Sequence, residues 1–270
     1  MADSKPSPSQ TTSDKATVHV GVFIPAEAQL LDFACIDIIG SMSASYMAGA
    51  AAIVPASVLA LAPPVQFYYI GSVQPGSPIA TTSSAHILCT HHYTDPAVAP
   101  GKLDIVVVPG PDPFATDLEM DGGAPARWLA DQGASATTDV LSVCTGILWC
   151  GAAGLLKGKT VCGPRGMGQF IEEQKFGQKE LVGHKVRWWQ DGRFWSSGGI
   201  TNGNDLIAAY CRATPRLFPR PLVEIACEMT DVGDRAQQYS KSQTGFIATM
   251  VWNTFRAWLM GSGTSKGKTS

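Results

Sequence analysis

The 270-residue chain lacks the patterns that mark several common classes of protein. Its seven cysteines are scattered, with no CxxC pair and no Cys/His spacing typical of zinc, so we predict no metal site. No GxGxxG motif follows a strand and no Walker sequence is present, which leaves a nucleotide cofactor without support. We therefore predict that the protein works without a cofactor.

Charge and hydropathy exclude further classes. The net charge is −2, so the composition does not favour binding to nucleic acid or to an anionic membrane. No apolar run approaches the ~20 residues that a membrane-spanning helix needs, and the polar first residues lack the apolar core of a signal peptide. With 45% hydrophobic and 16% charged residues, we expect a cytoplasmic protein with reduced thiols and a substantial core.

The two ends of the sequence differ in composition from the rest. Residues 1–16 are rich in Ser, Pro, Thr and Lys, and residues 261–270 are Gly, Ser, Thr and Lys with almost no apolar side chains. Such segments bury too little surface to offset the entropy of ordering, so both are predicted to be disordered tails. Residues 17–260 are expected to form a single α/β domain.

Short apolar runs alternate with helical patterns along this domain. The strand candidates are Val18–Ile24, Gln66–Ile70, Asp104–Val108 and Thr138–Val143. The helix candidates are Gln29–Met42, Ala124–Gln132, Thr145–Gly154, Asn204–Arg212, Leu222–Met229 and Phe246–Met260. Asp191-Gly192 predicts a late hairpin. This alternation favours a three-layer α/β sandwich with a mostly parallel central sheet flanked by helices.

A cysteine stands where one of these strands gives way to a helix. Cys144 follows the run Val140–Val143, so its sulfur is predicted at the carboxyl edge of the sheet, where open α/β folds bind ligands. The free N–H groups of the helix start favour thiolate over thiol and predict a lowered pKa for Cys144. Gly146 leaves room for a sharp turn of the nucleophile-elbow kind. Position alone leaves a nucleophile and a buried structural thiol both open.

Four ordered segments resemble the ThiJ/PfpI superfamily, which includes the parkinsonism-associated deglycase and the isonitrile hydratases. They are Leu31–Phe33, Val106–Gly110, Ser142–Gly146 with the Gly151–Lys159 run that follows, and Ser197–Asp205. The resemblance implies a flavodoxin-like fold of the class I glutamine amidotransferase kind. It also implies a homodimer and identifies Cys144 as the reactive thiol.

The resemblance further implies partners for this thiol. Asp32 matches the family's acidic residue near the cysteine and would act as acid/base, with a helix-capping or first-turn role as the alternative. Thr145 and Gly110 would direct backbone N–H groups at developing negative charge or at the substrate. Many members have a second Gly where this chain has Pro111, which carries no N–H, so one oxyanion contact would be missing.

The histidine that amidotransferase-like relatives carry after the elbow helix is absent here. The corresponding segment runs from Thr160 to Gly166 and contains Arg165 instead. Arg165 would keep Cys144 ionised or bind an anionic substrate group, with a surface or interface salt bridge as the alternative. His184 is the only later histidine and lies in a predicted loop, so a Cys–His–acid triad is not expected.

These residues predict a cofactor-independent lyase of the hydratase type, similar to the isonitrile hydratases. Cys144 would attack a small electrophilic substrate, such as an isonitrile, a dicarbonyl or an activated enone, while Asp32 moves the proton. Two alternatives stay open. One is a glyoxalase- or deglycase-like activity on methylglyoxal, and the other is a redox-sensing or chaperone-like protein in which Cys144 is oxidised.

Overall fold

The structure is a computed structural model that describes residues 16–114 and 123–264. The predicted tail at residues 1–16 lies outside these ranges except for its last residue. The strands are β1 (Val18–Phe23), β2 (Glu27–Ala28), β3 (Val65–Gly71), β4 (Pro78–Thr81), β5 (His86–Leu88), β6 (His91–His92), β7 (Ile105–Val108), β8 (Asp139–Ser142), β9 (Thr160–Val161), β10 (Glu180–Leu181), β11 (Trp188–Asp191) and β12 (Phe194–Ser197).

The helices occupy the segments between and after these strands. They are α1 (Leu30–Ala34), α2 (Asp37–Ser41), α3 (Ala44–Ala48), α4 (Ala56–Leu59), α5 (Ala124–Ala134), α6 (Gly146–Ala152), α7 (Gly168–Glu173), α8 (Asn202–Ala213), α9 (Arg220–Thr230) and α10 (Gln243–Thr264). Strands and helices alternate through the core region, as the hydrophobic pattern predicts.

The central sheet contains seven strands in the order β11-β12-β8-β7-β1-β3-β6. All neighbours pair in parallel except β11 and β12, which form the antiparallel hairpin predicted from Asp191-Gly192. Gly192 has a φ of +62° in that turn, a backbone conformation that glycine adopts without strain. The predicted mostly parallel α/β architecture is confirmed.

Both faces of the sheet are covered, which explains why its strands are apolar throughout. Successive side chains of a strand point to opposite faces, and β7 follows this rule. Ile105 and Val107 join a buried cluster with residues of α1, α2, α8 and α9, whereas Val106 and Val108 join a cluster with residues of α5 and α6. Layers of helices on both faces leave the carboxyl ends of the strands as the edge where side chains from several segments converge.

Two boundaries differ from the sequence prediction. The helix expected over Gln29–Met42 is divided into α1 and α2, because the N–H groups of Ile36 and Ile38 bond to carbonyls three residues back rather than four. At the other end, α10 continues to Thr264, four residues into the segment predicted as a C-terminal tail. Residues 265–270 of that tail lie outside the described ranges.

Helix α10 contributes little to the core of this fold. None of the buried hydrophobic clusters found in the described ranges includes one of its residues. Its side chains are exposed from Ile247 to Met260, many of them large and apolar. Over residues 16–114 and 123–264, no helix has the length and apolarity that crossing a bilayer would require.

Candidate active site

The predicted elbow is present at the end of β8. Val143 donates its N–H to the Val108 carbonyl at 2.9 Å, and Cys144 follows with a φ of +57° before α6 begins at Gly146. A non-glycine residue in this left-handed region stores backbone strain. A Cβ on Gly146 would lie 2.0 Å from the Val108 carbonyl oxygen, so the tight approach of α6 to β7 requires glycine.

Asp32 reaches this elbow from α1, the first helix after β1. Its carboxyl is fully buried, and Oδ2 accepts a hydrogen bond from the Gly110 N–H at 3.0 Å. The Gly110 carbonyl in turn accepts from the Gln29 N–H at 2.9 Å, so the start of α1 is tied to the turn after β7. A Cβ on Gly110 would lie 2.5 Å from Asp32 Oδ2, and this turn therefore also needs glycine.

The carboxyl of Asp32 and the thiol of Cys144 are buried close enough together for each to shift the pKa of the other. Asp32 Oδ1 has no hydrogen-bond partner and is cut off from solvent. Burial raises the pKa of Asp32 from 3.8 to about 7, against the opposing effects of the Gly110 N–H and the Cys144 thiol. The predicted proximity of acid and thiol is therefore what the geometry shows, and the carboxyl titrates near neutral pH.

The expected lowering of the thiol pKa is wrong. Cys144 is only 6% exposed, and burial, followed by the negative charge of Asp32, raises its pKa to about 12. The backbone N–H groups of Ile200 and Thr145 act in the opposite direction, as the helix-start argument anticipated, but they are outweighed. The position of the cysteine at the sheet edge was predictable, whereas its burial was not.

Thr145 and Gly110 lie beside the pair, but their polar groups serve different roles from those expected. The Thr145 hydroxyl donates to the Pro111 carbonyl at 2.7 Å, which fixes the turn after β7 against the elbow. The Gly110 N–H is directed at Asp32 rather than at a substrate. Thr145 keeps a backbone N–H that faces the sulfur. The expectation of a Gly110 oxyanion donor is therefore corrected: this N–H holds the acid.

Ile200 is a site residue that sequence analysis missed. It precedes α8, has a φ of +43°, and presents its backbone N–H to the sulfur of Cys144. A β-branched residue in the left-handed region is a strained outlier, and such strain concentrates at functional sites. The Gly198-Gly199 pair before it was visible in the sequence. Nothing in the sequence shows that an isoleucine adopts a positive φ.

Arg165 is not brought to the thiol. Its guanidinium lies 4.1 Å from the centroid of the Tyr239 ring and 4.9 Å from that of Phe246, and it donates to the Gln243 side chain. The long side chain thus extends toward the start of α10, and the proposal that it replaces the missing histidine is corrected. His184 is exposed on the turn before β11, and no described hydrogen bond connects it to the pair.

Comparison with known proteins supports the fold. No family model matches the sequence, and no curated protein matches it. A ThiJ/PfpI family protein from Pseudomonas syringae is 18% identical with a TM-score of 0.62, over 94% of this chain and 93% of that chain. Drosophila melanogaster DJ-1beta is 16% identical with a TM-score of 0.59, over 80% of this chain and 99% of that chain.

A third similar structure belongs to a protein of a different kind. An AraC family transcriptional regulator from Pseudomonas putida is 16% identical with a TM-score of 0.58, over 79% of this chain and 99% of that chain. At such identities the likeness establishes a shared fold, and one fold serves many activities. The resemblance to ThiJ/PfpI and DJ-1 proteins is confirmed at this level. The reaction that this site can carry out therefore depends on its own residues.

The raised pKa of Asp32 predicts a stability that depends on pH. Because the folded-state pKa of about 7 exceeds the ordinary 3.8, the buried carboxyl destabilises the fold increasingly as pH rises from about 4 to about 7. Asp32→Asn keeps an oxygen for the Gly110 N–H and removes the charge. In urea denaturation we expect it to raise the free energy of unfolding by about 3 kcal/mol more at pH 8 than at pH 5.

Asp37→Asn is the matched control, because Asp37 is an exposed carboxyl five residues further on. It should show no such gain between the two pH values. An Asp32→Asn variant that is equally stabilised, or destabilised, at both pH values would contradict the burial of an ionisable carboxyl at this site.

The Asp32→Asn substitution should also make the Cys144 thiol more reactive. Removing the negative charge of Asp32 lowers the pKa of Cys144, so more thiolate is present at a given pH. We expect iodoacetamide to alkylate Cys144 faster in Asp32→Asn than in the wild type at about pH 9, with mass spectrometry locating the label. Cys144→Ser identifies labelling at other cysteines. Unchanged or slower alkylation would show that Asp32 does not act on the sulfur.

Proposed function

We propose that the protein is a cofactor-independent hydratase that adds water to a small electrophilic carbon, with an isonitrile as the best-fitting substrate class. The observation that carries this proposal is the buried contact between Cys144 and Asp32, in which the pKa of the acid is raised to about 7. A group that titrates near the working pH both accepts and donates protons efficiently. Addition to an isonitrile needs a nucleophile and a proton for the same carbon.

The pair titrates as a unit because each member shifts the pKa of the other. Between about pH 7 and about pH 12 it holds one proton, mainly on the sulfur. A minor tautomer places this proton on Asp32 and leaves a thiolate, which the N–H groups of Thr145 and Ile200 stabilise. This tautomer has a nucleophile and an acid side by side, and we propose it as the reactive form.

The proposed reaction balances without a redox partner. The Cys144 thiolate forms a bond to the terminal carbon of R–NC, and Asp32 gives its proton to that carbon, which yields the thioimidate R–N=CH–S-Cys144. Water adds to the same carbon, and Asp32 takes one of its protons and passes it to the nitrogen. The C–S bond then breaks, and the remaining hydroxyl proton returns to the pair through Asp32. The product is R–NH–CHO, and the pair returns to its starting state.

The environment of the pair supports addition over the alternatives. No described hydrogen bond connects a histidine to Asp32 or Cys144, so the triad used for amide hydrolysis has no third member among the described residues. Peroxide reacts with thiolates, and the raised pKa of the buried Cys144 disfavours that reaction. The missing histidine favours addition over amide hydrolysis, and because a scarce thiolate limits oxidation and addition alike, it is the proton donor Asp32 beside the sulfur that favours a hydratase.

Turnover of a substrate panel tests the proposal. Alkyl and aryl isonitriles, 1,2-dicarbonyls including methylglyoxal, and enones would be incubated with wild type, Cys144→Ser and the Asp37→Asn control. We expect formamides from isonitriles alone, with one oxygen-18 atom incorporated from labelled water. Cys144→Ser should abolish turnover while the melting temperature stays close to that of the wild type. Turnover of methylglyoxal instead, or of no member of the panel, would contradict the proposal.

The pH profile tests the role of Asp32. Below about pH 7 the pair gains a second proton and loses the reactive tautomer, so kcat/KM should fall by about tenfold per pH unit below that value. Asp32→Asn should lose turnover although its thiol is more reactive toward iodoacetamide. This opposite response is the informative result, because a purely structural role for Asp32 would lower both rates together.

A further inference from the structure

The turn that carries Ile200 is strained and needs contacts that hold it. Ile200 has a φ of +43°, a conformation that a β-branched residue keeps only where the surrounding structure enforces it. Inside the turn, the Asn202 N–H donates to the Gly199 carbonyl at 3.1 Å and the Gly203 N–H to the Ile200 carbonyl at 3.0 Å. Bonds of this kind begin many helices without strain. The conformation of Ile200 therefore also depends on residues outside the turn.

A segment far along the chain supplies such contacts. Residues 235–239 lie between α9 and α10, and we call them the 235–239 segment. Arg235 donates to the Thr201 carbonyl at 2.7 Å, and it also binds both carboxylate oxygens of the buried Asp205, at 3.1 and 2.5 Å. One planar guanidinium thus fixes the residue after Ile200 against the first turn of α8.

Tyr239 makes a second contact with the turn. Its hydroxyl accepts a hydrogen bond from the buried Asn202 side chain at 2.7 Å. A Cβ on Gly198 would lie 2.8 Å from both the Tyr239 hydroxyl and Asn202 Nδ2, so the chain before Ile200 passes directly against this hydrogen bond. The 235–239 segment therefore contacts the chain on both sides of Ile200.

The 235–239 segment is itself held at the edge of the sheet. The Arg187 N–H donates to the Gln237 carbonyl at 2.7 Å, and the Arg187 guanidinium donates to the Gln238 carbonyl at 2.7 Å. The Gly198 N–H donates to the Arg187 carbonyl at 2.8 Å. Arg187 directly precedes β11, so the segment and the turn are referred to the same point of the sheet. Supported contacts of this kind position a group more precisely than loose ones.

The turn is also packed tightly against the elbow. A Cβ on Gly203 would lie 2.9 Å from the Val143 side chain, so the start of α8 contacts the residue before Cys144. The Ile200 N–H acts on the Cys144 sulfur and favours its charged form. Relaxing the φ of Ile200 would rotate the peptide that carries this N–H relative to α8. The N–H serves the sulfur only while the turn is held.

We propose that Arg235 and Tyr239 are positioning residues, which keep the Ile200 N–H directed at the Cys144 sulfur. They act through the turn rather than on the reacting atoms. Their part in turnover rests on the proposed function, in which this N–H stabilises the reactive thiolate. Their hold on the N–H does not, so it can be measured without any substrate.

Alkylation of Cys144 tests this hold. Arg235→Lys keeps a charge beside Asp205 but removes the planar fork, and Tyr239→Phe removes only a hydroxyl. Without the Ile200 N–H the pKa of Cys144 rises, so less thiolate is present at about pH 9. We expect iodoacetamide to label Cys144 about tenfold more slowly in the double variant, as for the loss of one hydrogen bond to a charged group. Each single variant should slow by less, and the single variants decide where the double variant does not fold.

Arg216→Lys and Tyr68→Phe are the matched controls. Arg216 is also an exposed arginine paired with a buried carboxylate, that of Asp139 at 2.8 Å. The Tyr68 hydroxyl is likewise hydrogen-bonded to one side chain, His19, at 2.9 Å. Neither pair includes a residue of the turn before α8, so both controls should be labelled at the wild-type rate.

Hydrogen–deuterium exchange gives a second measurement. Peptides covering residues 198–203 should exchange faster in Arg235→Lys and in Tyr239→Phe than in the wild type or the controls, because the turn opens more often. Unchanged exchange or an unchanged alkylation rate would overturn the proposal. Faster alkylation would overturn it as well, since the contacts would then only shield the sulfur from solvent.

Kinetics with an isonitrile separate this proposal from the proposed function. In the double variant kcat should fall about as far as the alkylation rate while KM stays close to that of the wild type, because the N–H stabilises developing charge rather than bound substrate. A raised KM with an unchanged kcat would overturn the proposal. If the wild type turns over no isonitrile, slower alkylation still supports the hold on the N–H, and the proposed function alone is contradicted.

Discussion

The burial of the Asp32 carboxyl beside the Cys144 thiol determines how the site is protonated. Burial disfavours the ionisation of both groups, the charge of Asp32 further raises the pKa of Cys144, and no described ion pair places a cation beside them. The site therefore holds a proton that an exposed pair would release. Backbone amides offset part of this effect: Gly110 for the carboxylate, and Thr145 and Ile200 for the sulfur.

Keeping these groups together requires three segments that are distant in the sequence to approach closely. The tight contacts occur at Gly110 and Gly146, where a Cβ would collide with Asp32 and with the Val108 carbonyl. The parallel sheet makes this approach possible, because β1, β7 and β8 are neighbours and deliver their carboxyl ends to one edge. The strain at Cys144 and Ile200 is sustained by this packing, since both lie between well-buried strands and helices.

Much of this arrangement could be predicted from the sequence. The sheet, the elbow at Cys144 and the proximity of Asp32 follow from apolar runs, a small-residue turn and a family resemblance, all of which are local patterns. The direction of the thiol pKa could not be predicted, because burial depends on packing between distant segments. For the same reason the partner of the Gly110 N–H and the backbone of Ile200 were inaccessible. The direction of the Arg165 side chain could not be predicted either, because a long side chain can extend toward several neighbours.

Arg165 connects the segment after β9 to the start of α10. Its guanidinium packs on the ring of Tyr239, four residues before α10 begins. The Tyr239 hydroxyl accepts a hydrogen bond at 2.7 Å from Asn202, the first residue of α8, and Ile200 precedes that residue by two. Through Tyr239 and Asn202, Arg165 thus joins the start of α10 to the strained turn beside the sulfur. Among the described residues the pair thus has one acid, Asp32, and in the proposed reaction this single acid supplies the proton for addition to one carbon.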